Sequence, residues 1–195
     1  MQDNIYRTKL CGDLSEDDLD KEITVCGFVD SIRDHGGILF LDLRDSEGIL
    51  QVKSENNEMF AGLRKESVVQ IHGRVIRRSL DDINDKIKSG KVELVAYNVK
   101  VLSECLVDLP FEIKTSKNVS EDIRLKYRYL DLRNPKMHKI VLLRSKVLNY
   151  IRNIMVKDDF IEVETPILTT SSPEGARDFV VPSRLYHGKF YALPQ

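Results

Sequence analysis

Near the end of the chain, Pro173-Glu174-Gly175-Ala176-Arg177-Asp178 places one acid beside a glycine within a loop. Glycine lets a backbone or ligand approach closely, and a carboxylate accepts charge-assisted hydrogen bonds from an ammonium group. Glu174 is therefore a candidate for gripping a substrate amine. A second constellation lies upstream, where Arg33, His35, Phe40 and Gln51 follow one another around a Gly36-Gly37 pair. An exposed aromatic ring stacks on an unpaired base, worth about 1–3 kcal/mol per base, and a glutamine amide offers a base edge one donor and one acceptor. The first set suits amine binding and the second suits a single-stranded nucleic acid.

Five strand-like runs carry the second set. ITVCGFV, GILFLDLRD, GILQVKS, SVVQIHGRVIRR and KVELVAYNVKVL alternate with period two and are separated by Gly, Asp and Asn signals. Between the third and fourth, ENNEMFAGLRK (residues 55–65) is compatible with a helix. Five strands with a helix after the third is the plan of an OB-fold, a small barrel suited to oligonucleotides. Parity along the second strand puts Leu39, Leu41 and Leu43 on a core face and leaves Ile38, Phe40, Asp42 and Arg44 outside. On the third strand Gln51 shares a face with Ile49 and Lys53. Arg33 has the parity of Val25 and Val29, so a bend near Gly27 or the end of the strand must turn it outward. Phe40 packed beneath a loop and Gln51 merely solvated are the plainer readings of the same residues, and parity alone leaves both open.

After Cys105 the alternation stops. A linker with Pro110 and Pro135 follows, its middle (121–133) compatible with a short basic helix. In this stretch Arg124, Lys126, Arg128, Arg133, Lys136 and Lys139 outnumber Glu121, Asp122 and Asp131. Beyond Met137 the period becomes helical, with Ile140, Leu143, Val147, Ile151 and Ile154 on one face up to about Lys157. FIEVETPIL then reads as a strand stopped by Pro166, and a further strand pair follows the Glu174 loop.

Composition sets the outer limits. With 42% apolar and 31% charged residues the chain is an ordinary globular one, and a net charge of −1 requires any nucleic-acid contact to come from local basic patches. Cys11, Cys26 and Cys105 are widely spaced, without a Cys-x-x-Cys or Cys/His cluster, so buried thiols in a reducing cytoplasm and no metal site are expected. No apolar leader or membrane-length segment is present in these residues. Neither a membrane nor DNA is expected as a partner.

Three stretches resemble the bacterial-type aspartyl-tRNA synthetases, members of class II. RDHGGILFLDLRDSEGILQV resembles their anticodon-binding OB domain, LKYRYLDLR the segment joining that domain to the catalytic one, and PEGARDF with VPSR the start of the catalytic domain. Residues 140–168 resemble motif 1 of class II, a long helix running into a strand with a proline near its end. Phe28 stands where many relatives have Trp. The resemblance implies an OB-fold anticodon domain over 1–104, a hinge over 105–137 and the incomplete start of a class II antiparallel-sheet domain over 138–195. It implies anticodon contacts from Arg33, Phe40 and Gln51, with Phe40 stacking. Glu174 would hold the α-ammonium group of aspartate, with Arg177 and Asp178 in support. Motif 1, with Pro166, implies a homodimer interface.

His35-Gly36 resembles members that charge both tRNA-Asp and tRNA-Asn, whereas Asp81, at a second position linked to that relaxation, fits neither pattern. The implied reaction uses ATP and Mg²⁺ to form aspartyl-adenylate and then transfers aspartate to tRNA. The motif 2 and motif 3 arginines do not occur in these 195 residues, so the expectation is an N-terminal portion of a ligase that binds the anticodon without making adenylate or holding ATP. A non-catalytic tRNA-binding module, or a truncated paralogue, is the alternative.

Overall fold

Alternating apolar residues bury one face of each early strand, and the strands close into a ring that leaves the apolar face no edge. In a computed structural model, which describes residues 5–56, 58–171 and 178–193, the chain forms two compact units, Met1–Leu109 and Pro110–Gln195. The first unit is a closed barrel of β1 (Glu22–His35), β2 (Ile38–Arg44), β3 (Ile49–Ser54), β4 (Val68–Arg77) and β5 (Val92–Ser103), in the order β1-β2-β3-β5-β4. All pairs are antiparallel except β3 with β5. That order and its single parallel contact are those of the expected OB-fold.

The barrel is filled by Val25, Val29, Leu41, Leu43, Leu50, Val52, Val69, Ile71, Val75, Val92 and Leu94, each fully buried. Complete burial of one such side chain is worth about 1.5–3 kcal/mol. Leu39 packs against this core from its margin. Gly73 lies where β4 meets β5 most closely, and a Cβ there would collide with the Val95 carbonyl oxygen.

Between β3 and β4 the expected helix is absent. Met59, Ala61 and Leu63 donate their N–H groups to Asn56, Glu58 and Phe60, a succession of turns spanning three residues each. Gly62 has φ +74°, outside the helical region, while Phe60 dips into the core. Burying Phe60 as a plug and stepping through a left-handed glycine overrides the local helical preference.

Each element of the second unit is best understood by itself. The basic stretch forms two short helices, α1 (Glu121–Lys126) and α2 (Arg128–Asp131), interrupted at Tyr127 (φ −110°, ψ 44°). Asn134 begins α3 (Pro135–Lys157) as its cap: its Oδ1 accepts from Lys136 N at 2.9 Å, and its Nδ2 donates to Ile113 O at 2.8 Å. Proline at the first helical position lacks a donor that would have had no helical partner anyway. The helix is therefore as the periodicity indicates, beginning two residues earlier.

FIEVETPIL does not form a strand. Residues 160–168 have no ladder, and the nearest pairing is a single bridge, Thr169 with Ala192. An extended segment becomes a strand only where a neighbour supplies its hydrogen bonds, and here Glu162 is held instead by Arg152 through two bonds of 2.6 and 2.8 Å. Pro166 is exposed within this unpaired stretch. The strand pair beyond it is present as β6 (Phe179–Pro182) and β7 (Phe190–Leu193). Among the described residues, no helix is long and apolar enough to cross a membrane.

Candidate nucleic-acid interface

The two-residue turn joining β1 to β2 consists of Gly36 (φ +66°) and Gly37 (φ +96°), between the paired residues His35 and Ile38. Positive φ at both turn positions suits the natural twist of a tight hairpin. Gly37 N donates to Asp34 Oδ1 at 3.0 Å, fixing the tip. The hairpin sets Arg33 opposite Phe40, which in turn lies opposite Lys53 on β3.

Arg33 faces outward because β1 carries a bulge between Val29 and Ser31. The extra residue, Asp30, shifts the parity of everything after it, so Ile32 rather than Arg33 packs toward the core. The turn therefore occurs beyond Gly27 and before the strand end. Arg44 clamps the bulge: Nη1 reaches Asp30 at 2.8 Å, Nη2 reaches Glu66 at 2.6 Å, and the guanidinium sits 5.7 Å from the Phe28 ring centroid. Phe28 thus packs beneath an arginine on the outer wall.

On the face so created, Arg33 Nη2 lies 2.9 Å from Asp42 Oδ1 and 3.5 Å from Gln51 Oε1. Ser31 Oγ donates to Asp42 Oδ2 at 2.8 Å. Gln51 Nε2 donates to Glu93 Oε2 at 2.8 Å, and Lys53 pairs with Glu93 Oε1 at the same distance. Gln51 is thereby oriented, oxygen toward Arg33 and nitrogen toward Glu93, which leaves one N–H and one lone pair available to a base edge. Phe40 is half-buried, and the His35 ring meets it edge-on at 5.7 Å and 74°. One ring face supported by a second ring is suited to stacking.

The sequence reading did not include Glu93 or Arg78. Glu93 is buried on β5, between the core residues Val92 and Leu94, and the parallel β3–β5 pairing sets it beside Gln51. An acid interrupting an apolar run was the available signal. Arg78, just past β4, is 5% exposed, and its Nε donates to Val92 O at 3.1 Å. Burial pushes the Arg78 guanidinium down from its ordinary value, while Glu93 and Asp42 act in the opposite sense. Among the described residues its Nη2 is the buried side-chain polar atom left without a hydrogen-bond partner. An acceptor arriving at this face would satisfy it.

Asp81 lies exposed in the short turn Leu80–Asp82 between β4 and β5, and no hydrogen bond or ion pair joins it to the described residues of the patch. Part of the linker's positive charge is already engaged. Arg124 and Arg128 contact fully buried Asp131 at 3.0 and 2.8 Å, and Ser116 Oγ adds a bond of 2.8 Å. Hydrogen bonding from Arg124 holds the Asp131 carboxyl below its ordinary range against the opposing effect of burial. The remaining site residue from the sequence, Glu174, lies outside the described residues, as do Arg177 and the rest of 172–177. Asp178 is described, and Ser171 Oγ donates to it at 2.9 Å.

A barrel whose outer wall joins an aromatic ring, an oriented amide and arginines has the chemistry that suits a nucleic acid. Residues 23–102 match the model of the OB-fold nucleic acid binding domain, and residues 120–195 match that of the class II tRNA synthetases (D, K and N). The later part of the chain is thus similar to the class II synthetases and the earlier part to their kind of nucleic-acid binding barrel. The chain's relatives include an aspartate–tRNA(Asp/Asn) ligase from Endomicrobium trichonymphae, 51% identical over 97% of the chain, and another from a Thermoanaerobacter species, 49% identical over 98%. The chain spans about a third of the length of these curated relatives, 33% in each case.

Solved structures agree in fold. A Pyrococcus horikoshii asparaginyl-tRNA synthetase complexed with asparaginyl-adenylate matches 96% of the chain and 42% of its own, with a TM-score of 0.78 and 26% identity. A putative aspartyl-tRNA synthetase from Leishmania major matches all of the chain and 40% of its own, with a TM-score of 0.81 and 23% identity.

Proposed function

We propose that the barrel reads the anticodon of tRNA-Asp for an aspartate–tRNA ligase, with the ring of Phe40 stacked on a base and Gln51 and Arg33 on its edges and backbone. The convergence of these three side chains on one outward face of β1, β2 and β3 carries this reading. Arg78 supplies a further donor to the same face. His35, standing on the hairpin against Phe40, is where the acceptance of tRNA-Asn is set, and Asp81 modulates it from the neighbouring connection. The ligase works in the cytoplasm.

In the complete reaction the aspartate carboxylate attacks the α-phosphate of ATP, pyrophosphate leaves, and a ribose hydroxyl of the tRNA end then attacks the aspartyl carbonyl of the adenylate, giving up its proton and expelling AMP. Glu174 holds the α-ammonium group of aspartate. Mg²⁺ would neutralise the phosphates. Among the described residues no group of three or more His, Cys, Asp or Glu side chains could hold a metal ion. The exposed apolar residues of α3, with Pro166 beyond them, meet a second copy of the chain in a homodimer.

Binding of this chain to transcripts of tRNA-Asp, tRNA-Asn and tRNA-Asp with a replaced anticodon, at one near-physiological salt concentration, tests the proposal. Similar affinity for the first two is expected, with a loss of about tenfold or more for the third and for Phe40→Ala. Equal binding of all three RNAs, unaffected by Phe40→Ala, would leave only backbone attraction and end the anticodon assignment.

A further inference from the structure

A different wall of the barrel bears a concave polar surface that anticodon reading does not use. Thr24, His72 and Asn98 lie side by side across β1, β4 and β5, with Gln70 and Lys100 in the neighbouring row. Residues 5–8 cross this wall and are fastened to it. Thr8 N donates to Thr24 O at 2.9 Å, Thr24 N donates to Thr8 Oγ1 at 3.0 Å, and Gln70 Nε2 donates to the carbonyls of Ile5 and Tyr6 at 3.1 and 2.9 Å. The fastened segment and the strands border a recess of about 210 Å³ whose lining includes Arg7, His72, Asn98 and Lys100 and, among the described residues, no acid.

Most other surface cations of the unit are matched with a carboxylate, Lys86 being an exception among the described residues. Arg33, Arg44, Lys53, Arg74, Arg77 and Lys88 are each matched with a carboxylate. Arg7 and Lys100 have no hydrogen bond or ion pair with any described residue, and the Asn98 side chain has none either. One carboxylate touches a lining residue, Glu22, whose Oε2 lies 3.5 Å from His72 Nε2; the other ring nitrogen is 3.2 Å from Thr24 Oγ1. Two uncompensated cations, one of them a planar guanidinium, facing a recess with amide and hydroxyl groups make a receptor for a tetrahedral oxyanion.

We propose that this cavity is a phosphate site, with Arg7 and Lys100 neutralising the charge and Asn98 donating to a remaining oxygen. Along β1 it lies nine residues from Arg33, about 30 Å of strand, and so is separate from the stacking face. The phosphate belongs either to a small free ligand or to the backbone of a bound RNA, which offers the same chemistry.

Inorganic phosphate is titrated into the chain at fixed pH and ionic strength while NMR follows the His72 imidazole and the Gln70 and Asn98 side-chain amides, with chloride as the control. Saturating shifts are expected with phosphate and not with chloride. Arg7→Ala/Lys100→Ala raises the dissociation constant at least about tenfold, as does Lys100→Glu alone, which leaves the crossing segment untouched. Unchanged melting temperatures confirm that the variants are folded. Linear shifts, equal shifts with chloride, or undiminished binding in both variants would overturn the proposal.

Once the expected result is obtained, tRNA binding by the double variant identifies the source. A salt-dependence slope reduced by about 1–2 indicates an RNA phosphate. An unchanged slope and affinity indicate a small ligand.

Discussion

Leu41 and Ile140 are both apolar residues placed by a regular period, yet they meet opposite fates. In the barrel, Leu41 is fully buried because five strands close on themselves and every inward face finds another. In α3, no residue is buried, and Ile140, Leu143, Val147 and Ile151 are exposed in a row. Periodicity reveals which face of an element is apolar; only the neighbouring elements decide whether that face is covered.

The largest expected effect would break this contrast if it failed. Leu41→Ala should destabilise the barrel by about 2–5 kcal/mol, whereas Ile140→Ala should change stability by less than about 0.5 kcal/mol, since it removes little buried area and introduces a better helix former. Urea unfolding of the two variants followed by circular dichroism measures both. A comparable loss at Ile140 at concentrations where the chain is monomeric would mean that α3 is covered within the single chain.

Next in size, Asp131→Ala should cost the second unit about 1–3 kcal/mol, because it removes a buried, hydrogen-bonded acceptor of Ser116 while the part-exposed Arg124 and Arg128 turn to solvent. The same pair responds to pH. The folded carboxyl is held below the ordinary aspartate value of about 4, so its contribution is fully present above that value and fades as the pH falls through the lower folded one. Acid titration of the unit's unfolding midpoint should show this slope in the wild type and not in Asp131→Ala. A slope that persists in the variant would assign it to other carboxylates.

The smallest effect concerns rates. Burial, with a further contribution from Asp45, raises the Cys11 thiol, and burial raises Cys26 less, while Cys105 lies at the barrel's margin. Alkylation should therefore proceed fastest at Cys105, then Cys26, with Cys11 last. Early labelling of Cys11, read by peptide mass spectrometry, would show that the barrel opens more readily than its closure suggests.

The five strands could be read from sequence because alternation and β-branched residues define them locally. The outward face of β2 followed from parity alone, and the joint orientation of Phe40, Asp42 and Gln51 with it. Arg33 could not be placed that way, because one inserted residue, Asp30, inverts the count and its position depends on Arg44 and Glu66 from elsewhere in the chain. Glu93 and Arg78 were missed for the related reason that they reach the patch through the parallel β3–β5 pairing and the end of β4, which the strands' own patterns do not specify. The 55–65 segment and FIEVETPIL failed in opposite directions. One gave up its helical preference to bury Phe60, and the other has strand residues without a partner strand.

β5 pairs with both β3 and β4, and is the last strand of the barrel to be made. During translation the earlier four strands leave the ribosome with two unsatisfied edges, and the ring cannot close until residues near Leu94 have cleared the exit tunnel. The face bearing Phe40 is therefore completed late, because Glu93, which orients Gln51, arrives with the closing strand. A ribosome paused before this point would present an open, edge-exposed sheet that invites chaperones or aggregation, and one paused just after it would already carry the assembled wall that bears Phe40 and Gln51.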